Sequence, residues 1–120
     1  MAQARSHLKV RRANGVSIVE FADRKILEEL SISEIQQELL SLVASSPSIK
    51  LLLSFKNVEH LSSAALGMLI TLNKRVEEQA GALRLSDITP QIYEVFKITR
   101  LNKLFQIHET AEHALGSFAD

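Results

Sequence analysis

The chain opens on an alternating pattern. Across residues 7–12, Leu8 and Val10 fall on one side and Lys9 and Arg11 on the other, the period of a half-buried strand. Asn14-Gly15 follows, a pair that accepts positive φ at both positions and so suits a two-residue hairpin turn. Residues 16–21 (VSIVEF) read as the returning strand. The stretch 22–30 is charged and irregular, with Asp23, Arg24, Lys25, Glu28 and Glu29. At Ser31 the period changes. Ser31-x-x-Glu34 has the form of a capping box, and Ile32, Ile35, Leu39, Leu42 and Val43 recur at helical spacing. Ser45-Ser46-Pro47 stops that helix.

Residues 49–55 (IKLLLSF) are almost continuously apolar, as a strand covered on both faces requires. A short loop over 56–61 leads to a long predicted helix over 62–79. Ala80-Gly81 closes it, with Gly81 the expected left-handed residue after the cap. Residues 82–86 (ALRLS) alternate as a strand. Thr89-Pro90 supplies an N-cap and a proline at the first helical position, opening a helix to about residue 98. Residues 104–107 predict a short edge strand, and Thr110 caps a last helix carrying Ala111, Ala114, Leu115 and Phe118. The order β-β-α-β-α-β-α-β-α predicts an α/β fold. Its mixed sheet has four to five strands, is opened by an N-terminal hairpin and is covered by about four helices.

Composition narrows the function. The 120 residues make one domain, 1–120. The apolar share of 46% and charged share of 23% are those of a soluble globular protein. Cysteine is absent, which excludes disulfides, thiolate metal sites and cysteine nucleophiles and fits a reducing compartment. Lys plus Arg and Asp plus Glu are both 14, so no overall charge draws the chain to nucleic acid or to an anionic membrane. The local basic cluster Arg5, Lys9, Arg11 and Arg12 reads as a solvated strand face. Residues 1–12 hold no apolar signal-peptide core, and the longest apolar runs, 51–53 and 64–70, are too short to insert into a membrane. A cytoplasmic location is expected.

Catalytic and cofactor patterns are missing. His108 and His113 are five apart rather than at the i, i+4 spacing of a helical metal pair. Together with His7 and His60 they read as solvated surface residues. None of the 4 glycines forms a phosphate-cradling GxGxxG or GxxxxGK[ST] loop. No G-x-S-x-G elbow occurs. Glu28-Glu29 and Glu77-Glu78 lie in charged stretches and read as solvated faces. The expectation is a binding domain, not an enzyme, with no metal and no cofactor.

One segment rewards a helical wheel, 61–68 (LSSAALGM). At about 100° per residue, Leu66, Leu69, Ile70, Asn73, Val76 and Ala80 share a stripe expected to face the sheet. Ser62 is placed to cap the helix. Ser63 falls at the stripe's edge and points outward, at the positive end of the helix dipole, where a phosphate would be favoured. Ala64, Gly67, Met68, Thr71, Arg75 and Glu78 fall on the open side. Small residues around an adaptable methionine suit close approach by a partner.

Those residues, in this strand–helix context, resemble the STAS domain, shared by bacterial anti-sigma factor antagonists and the cytoplasmic tails of sulfate transporters. The resemblance is strongest over 51–105, through "NVEHLSSAALGMLI" and "GALRLSDITPQIYEVFKITRLNKLF". Antagonists of the family carry D-S-[ST]-G-L-G at the start of this helix, with the first serine phosphorylated. Anchoring on Leu66-Gly67 puts Ser63 at that phosphoacceptor, with Ser62 in the place of the Asp, Ala64 in that of the second hydroxyl residue and Ala65 in that of the Gly. The resemblance implies partner switching. The unmodified domain binds an anti-sigma factor that is also a serine kinase of the histidine-kinase-like ATPase type, phosphorylation at Ser63 releases it, and a serine phosphatase resets it. Ala64, Gly67, Met68, Thr71 and Asp23 are the implied docking residues. The alternatives are a non-switching STAS subunit of a lipid-transport or larger signalling complex and a small-molecule or nucleotide binder.

Overall fold

The computed structural model describes residues 7–118. Arg5 of the basic cluster and the two ends of the expected 1–120 domain lie outside that range. Strand β1 (Leu8–Ala13) turns through Asn14 and Gly15 into β2 (Val16–Phe21). Both turn residues have positive φ, 55° and 78°, as a two-residue hairpin demands. A two-residue strand β3 (Lys25–Ile26) precedes α1 (Glu29–Ala44). Then come β4 (Lys50–Ser54), a second two-residue strand β5 (His60–Leu61), α2 (Ser63–Glu78), β6 (Ala82–Ser86) and α3 (Pro90–Ile98). A 3₁₀ turn (Leu101–Lys103), β7 (Gln106–His108) and α4 (Ala111–Ser117) complete the described chain.

The main sheet runs β1-β2-β4-β6-β7, antiparallel only at β1–β2. Alternation divides its side chains between two layers. Val19, Leu51, Leu53, Leu83 and Leu85 pack under α1, α2 and α3 in the larger core. Val16, Ile18 and Leu52 point the other way, onto Ala114 and Phe118 of α4. β4 is central and is covered on both sides, which is why its middle is the consecutive apolar run Leu51, Leu52 and Leu53. The mixed sheet, hairpin and four helices match the expected fold class.

Three local expectations are corrected. Helix α1 begins at Glu29, not Ser31; its N-cap is Glu28, which makes no side-chain capping bond, so the Ser31–Glu34 box does not form. The buried Ile26 ends β3, and the chain turns into the helix directly after it. Two-residue β3 and β5 occupy stretches expected to be irregular, being too short to show a period. The left-handed residue after α2 is Ala80, with φ 59°, rather than Gly81. Gly81 N–H donates to the Val76 carbonyl (2.9 Å) and Ala80 N–H to that of Glu77 (3.0 Å), the paired bonds of a Schellman ending. Glycine is needed at 81 for space: a Cβ there would lie 2.6 Å from the Ile49 carbonyl oxygen.

Candidate functional site

At the carboxyl ends of the parallel strands the chain builds a clamp around the start of α2. β3 and β5 pair in parallel, Lys25 with His60 and Ile26 with Leu61. The Arg24 carbonyl accepts from Glu59 N–H (2.7 Å) and His60 N–H (3.2 Å), and the Ile26 carbonyl from Ser62 N–H (3.0 Å). Outside, the Arg24 guanidinium meets the Glu59 carboxylate at 2.8 Å. Beneath, Ile26, Phe55 and Val58 are fully buried, and the Phe21 and Phe55 rings sit 5.0 Å apart. The clamp fixes where Ser62 ends the extended chain and Ser63 begins the helix.

Ser62 is the N-cap. Its Oγ accepts from Ala65 N–H at 3.2 Å, and its backbone is extended, φ −85° and ψ 168°. Ser63 is the first helical residue and is exposed. The N–H groups of Ser63 and Ala64 have no acceptor among the described residues, as expected for the first turn of a helix. The first turn holds no acidic residue. A hydroxyl therefore projects into solvent beside two free donors and the positive end of a 16-residue helix.

The surface around it departs from the wheel at Met68, Ile70 and Ala80. Ala64 and Gly67 are exposed and Thr71 is half-buried. Met68 is corrected: it is 4% exposed and packs in the core. Ile70, expected inside, is 42% exposed, and Ala80 is exposed too. The buried arc is Ala65, Leu66, Met68, Leu69, Leu72, Asn73 and Val76. Helix α2 packs against α1 as well as the sheet, and the wheel allowed for the sheet alone. A Cβ on Gly67 would meet nothing within 4 Å, so no internal packing demands glycine there. Next to this face a cleft of about 230 Å³ is lined by Glu59, His60, Leu61, Leu66, Gln91, Ile92 and Val95.

Asp23 lies one residue before the clamp, so the fold joins its segment to that of Ser63. Its carboxylate is held by His7: the ring Nδ1 is 3.1 Å from each Asp23 oxygen, and Nε2 is 2.7 Å from Glu34 Oε1. Both ring nitrogens can donate only in the imidazolium form. The Glu34 hydrogen bond, followed by Asp23, raises the His7 pKa above its ordinary value against the opposing effect of burial. His7 is thus an ion-paired residue and not a solvated one. His108 departs from the surface reading as well: its Nε2 is buried and has no hydrogen-bond partner among the described residues, and burial, with Arg84 and His113 nearby, lowers its pKa. At the adjoining strand ends, Asp87 accepts from Ser86 Oγ (2.7 Å) and Ser54 Oγ (3.2 Å). Neither this cluster nor the His7 triad leaves a complete local sequence signal, because Ser54 lies far from Asp87 along the chain and Asp23 and Glu34 far from His7.

A sequence profile of the STAS domain matches residues 7–114. The chain belongs to the STAS domain family. An anti-sigma F factor antagonist of Paenibacillus polymyxa is 25% identical over 65 residues, 54% of this chain. The match spans 56% of the length of that relative. Among solved structures, a STAS domain protein described as an anti-sigma-factor antagonist from Planctomyces limnophilus superposes with a TM-score of 0.86 at 22% identity, over 94% of this chain and 98% of that one. The Bacillus cell fate determinant SpoIIAA in its phosphorylated form superposes at 0.69 with 13% identity, over 92% and 98%. At those identities the likeness speaks to the fold. Among the described residues no helix is long and apolar enough to cross a membrane.

Proposed function

We propose that this STAS domain is an anti-sigma factor antagonist that acts by partner switching. Unphosphorylated, it binds an anti-sigma factor with serine kinase activity; a phosphate on Ser63 ends the complex, and a phosphatase restores it. The observation that carries this reading is the exposed Ser63 hydroxyl at the first position of α2, beside the unpartnered N–H groups of Ser63 and Ala64. A phosphate there adds nearly two negative charges while gaining about 0.3–1 kcal/mol from the helix end, so the helix survives modification. The partner, pressed against Ala64, Gly67 and Thr71, meets both the charge and the bulk. Met68 supports this surface from below. The relative from Paenibacillus polymyxa and the phosphorylated SpoIIAA neighbour are consistent with the reading. Incubation with the cognate kinase and ATP, followed by mass spectrometry, is expected to place one phosphate on Ser63. A kinase that binds the domain yet leaves Ser63 unmodified rules the switch out.

One observation favours a non-switching STAS subunit of a larger complex: Ser62 leaves the first turn of α2 without an acidic residue. On that reading Ser63→Glu keeps full affinity for the partner; on the switching reading it does not.

A further inference from the structure

The basic residues Lys9, Arg11 and Arg12 lie on β1, and β1 is one edge of the main sheet. The His7 carbonyl accepts from Ala22 N–H at 2.8 Å. Antiparallel pairing alternates, so Lys9, Arg11 and Ala13 also turn their backbone groups to β2, while Val10 and Arg12 turn theirs outward. The opposite edge, β7, is three residues long; β1 has six, with neither proline nor bulge. Lys9, Arg11 and Arg12 are exposed, and none forms an ion pair with a described residue. Between this edge and α1 runs an open groove of about 360 Å³, lined by Leu8, Val10, Glu38, Ser41, Leu42 and Ser45. Val10, 49% exposed, forms part of its apolar wall.

We propose that the β1 edge is a second docking surface, which takes an extended acidic segment of a partner protein as an added strand. The outward backbone groups of Val10 and Arg12 supply the ladder bonds. The groove beside Val10 and Leu42 receives an apolar side chain. Lys9, Arg11 and Arg12 select acidic residues. A second copy of this chain fits poorly, because two-fold pairing of β1 with itself sets these three cations against the same three cations. Basic residues on an edge also deter indiscriminate strand pairing; here that same charge makes the edge selective. The edge and its groove share no residue with the start of α2, so a partner is expected to hold it whether or not Ser63 is modified.

The test uses a fluorescein-labelled peptide of about ten residues that alternates Glu and Val, with a control in which Lys replaces Glu. Fluorescence anisotropy reads affinity, and amide exchange maps the contact. Saturable binding that weakens with salt, fails for the Lys control and protects the Val10 and Arg12 amides is expected. Val10→Pro removes an outward N–H without breaking the β1–β2 ladder and is expected to weaken binding at least about tenfold. If circular dichroism shows that this variant does not fold, the Lys9→Glu/Arg11→Glu variant takes its place with the same expectation. No saturation below about 1 mM peptide, protection elsewhere, or unchanged binding by the folded variants overturns the proposal. Binding of duplex DNA or of anionic vesicles that outcompetes the peptide and ignores Val10→Pro overturns it as well.

Discussion

Ser62 and Ser63 are adjacent and chemically identical, yet the structure gives them opposite duties. Replacing Ser62 by Ala removes the Oγ that accepts from Ala65 N–H and leaves that first-turn donor to water. Loss of such a cap costs about 0.5–2 kcal/mol. The bond is 3.2 Å, toward the long end of the range for an N–H···O contact, so about 1 kcal/mol is expected. For a chain of this size that lowers the melting temperature by about 3–5 °C. Ser63→Ala removes an exposed hydroxyl that has no hydrogen-bond partner among the described residues and should stay within about 0.5 kcal/mol of the parent. Ser62→Asp should recover the cap and add a favourable charge at the helix end worth about 0.3–1 kcal/mol. Urea unfolding of the three variants, with a common slope, measures the differences. If Ser63→Ala cost more than Ser62→Ala, or Ser62→Asp were no better than Ser62→Ala, the assignment of cap and acceptor would be refuted.

Gly81→Ala should destabilise by about 1–3 kcal/mol, because its Cβ would lie 2.6 Å from the Ile49 carbonyl oxygen; urea midpoints check this, and a neutral variant would contradict it. The His7 pKa is raised in the folded state, so its ion pairs contribute fully below the unfolded value of about 6.5, and the contribution fades as pH rises through the folded value. His7→Gln should therefore cost about 1 kcal/mol near pH 5.5 and little well above the folded pKa, as read from urea midpoints against pH. Asp87→Ala removes the acceptor for the hydroxyl protons of Ser54 and Ser86, residues that are 3% and 0% exposed. A loss of about 1–3 kcal/mol in thermal or urea unfolding is expected.

The regular elements and the caps of α2, α3 and α4 are legible in the sequence; the α1 capping box is not one of them. Thr89 and Thr110 cap α3 and α4 through their side chains, as read, and β6 spans 82–86 as expected. These features depend on neighbours within a few residues. What was missed depends on distant partners. Met68 is buried because α1 packs beside α2, and no wheel of one helix contains its neighbour. The clamp of β3 and β5 has two residues a side, which is less than one period. His7 looked like a surface residue because Asp23 and Glu34, which hold it, come from a loop and a helix further along. Residue type alone points Gly81 to a left-handed ending, whereas close approach to the Ile49 carbonyl is what requires glycine there. At the start of α2, by contrast, the signal is local, and Ser62 and Ser63 stand where periodicity put them.

The most direct test of the proposed switch is the affinity of the domain for the anti-sigma kinase proposed as its partner, measured by calorimetry with unmodified, Ser63-phosphorylated and Ser63→Ala protein. The unmodified and Ser63→Ala forms should bind alike. The phosphorylated form should bind at least about tenfold more weakly, about 1.4 kcal/mol or more. Equal affinity of the phosphorylated and unmodified forms would contradict a Ser63 switch.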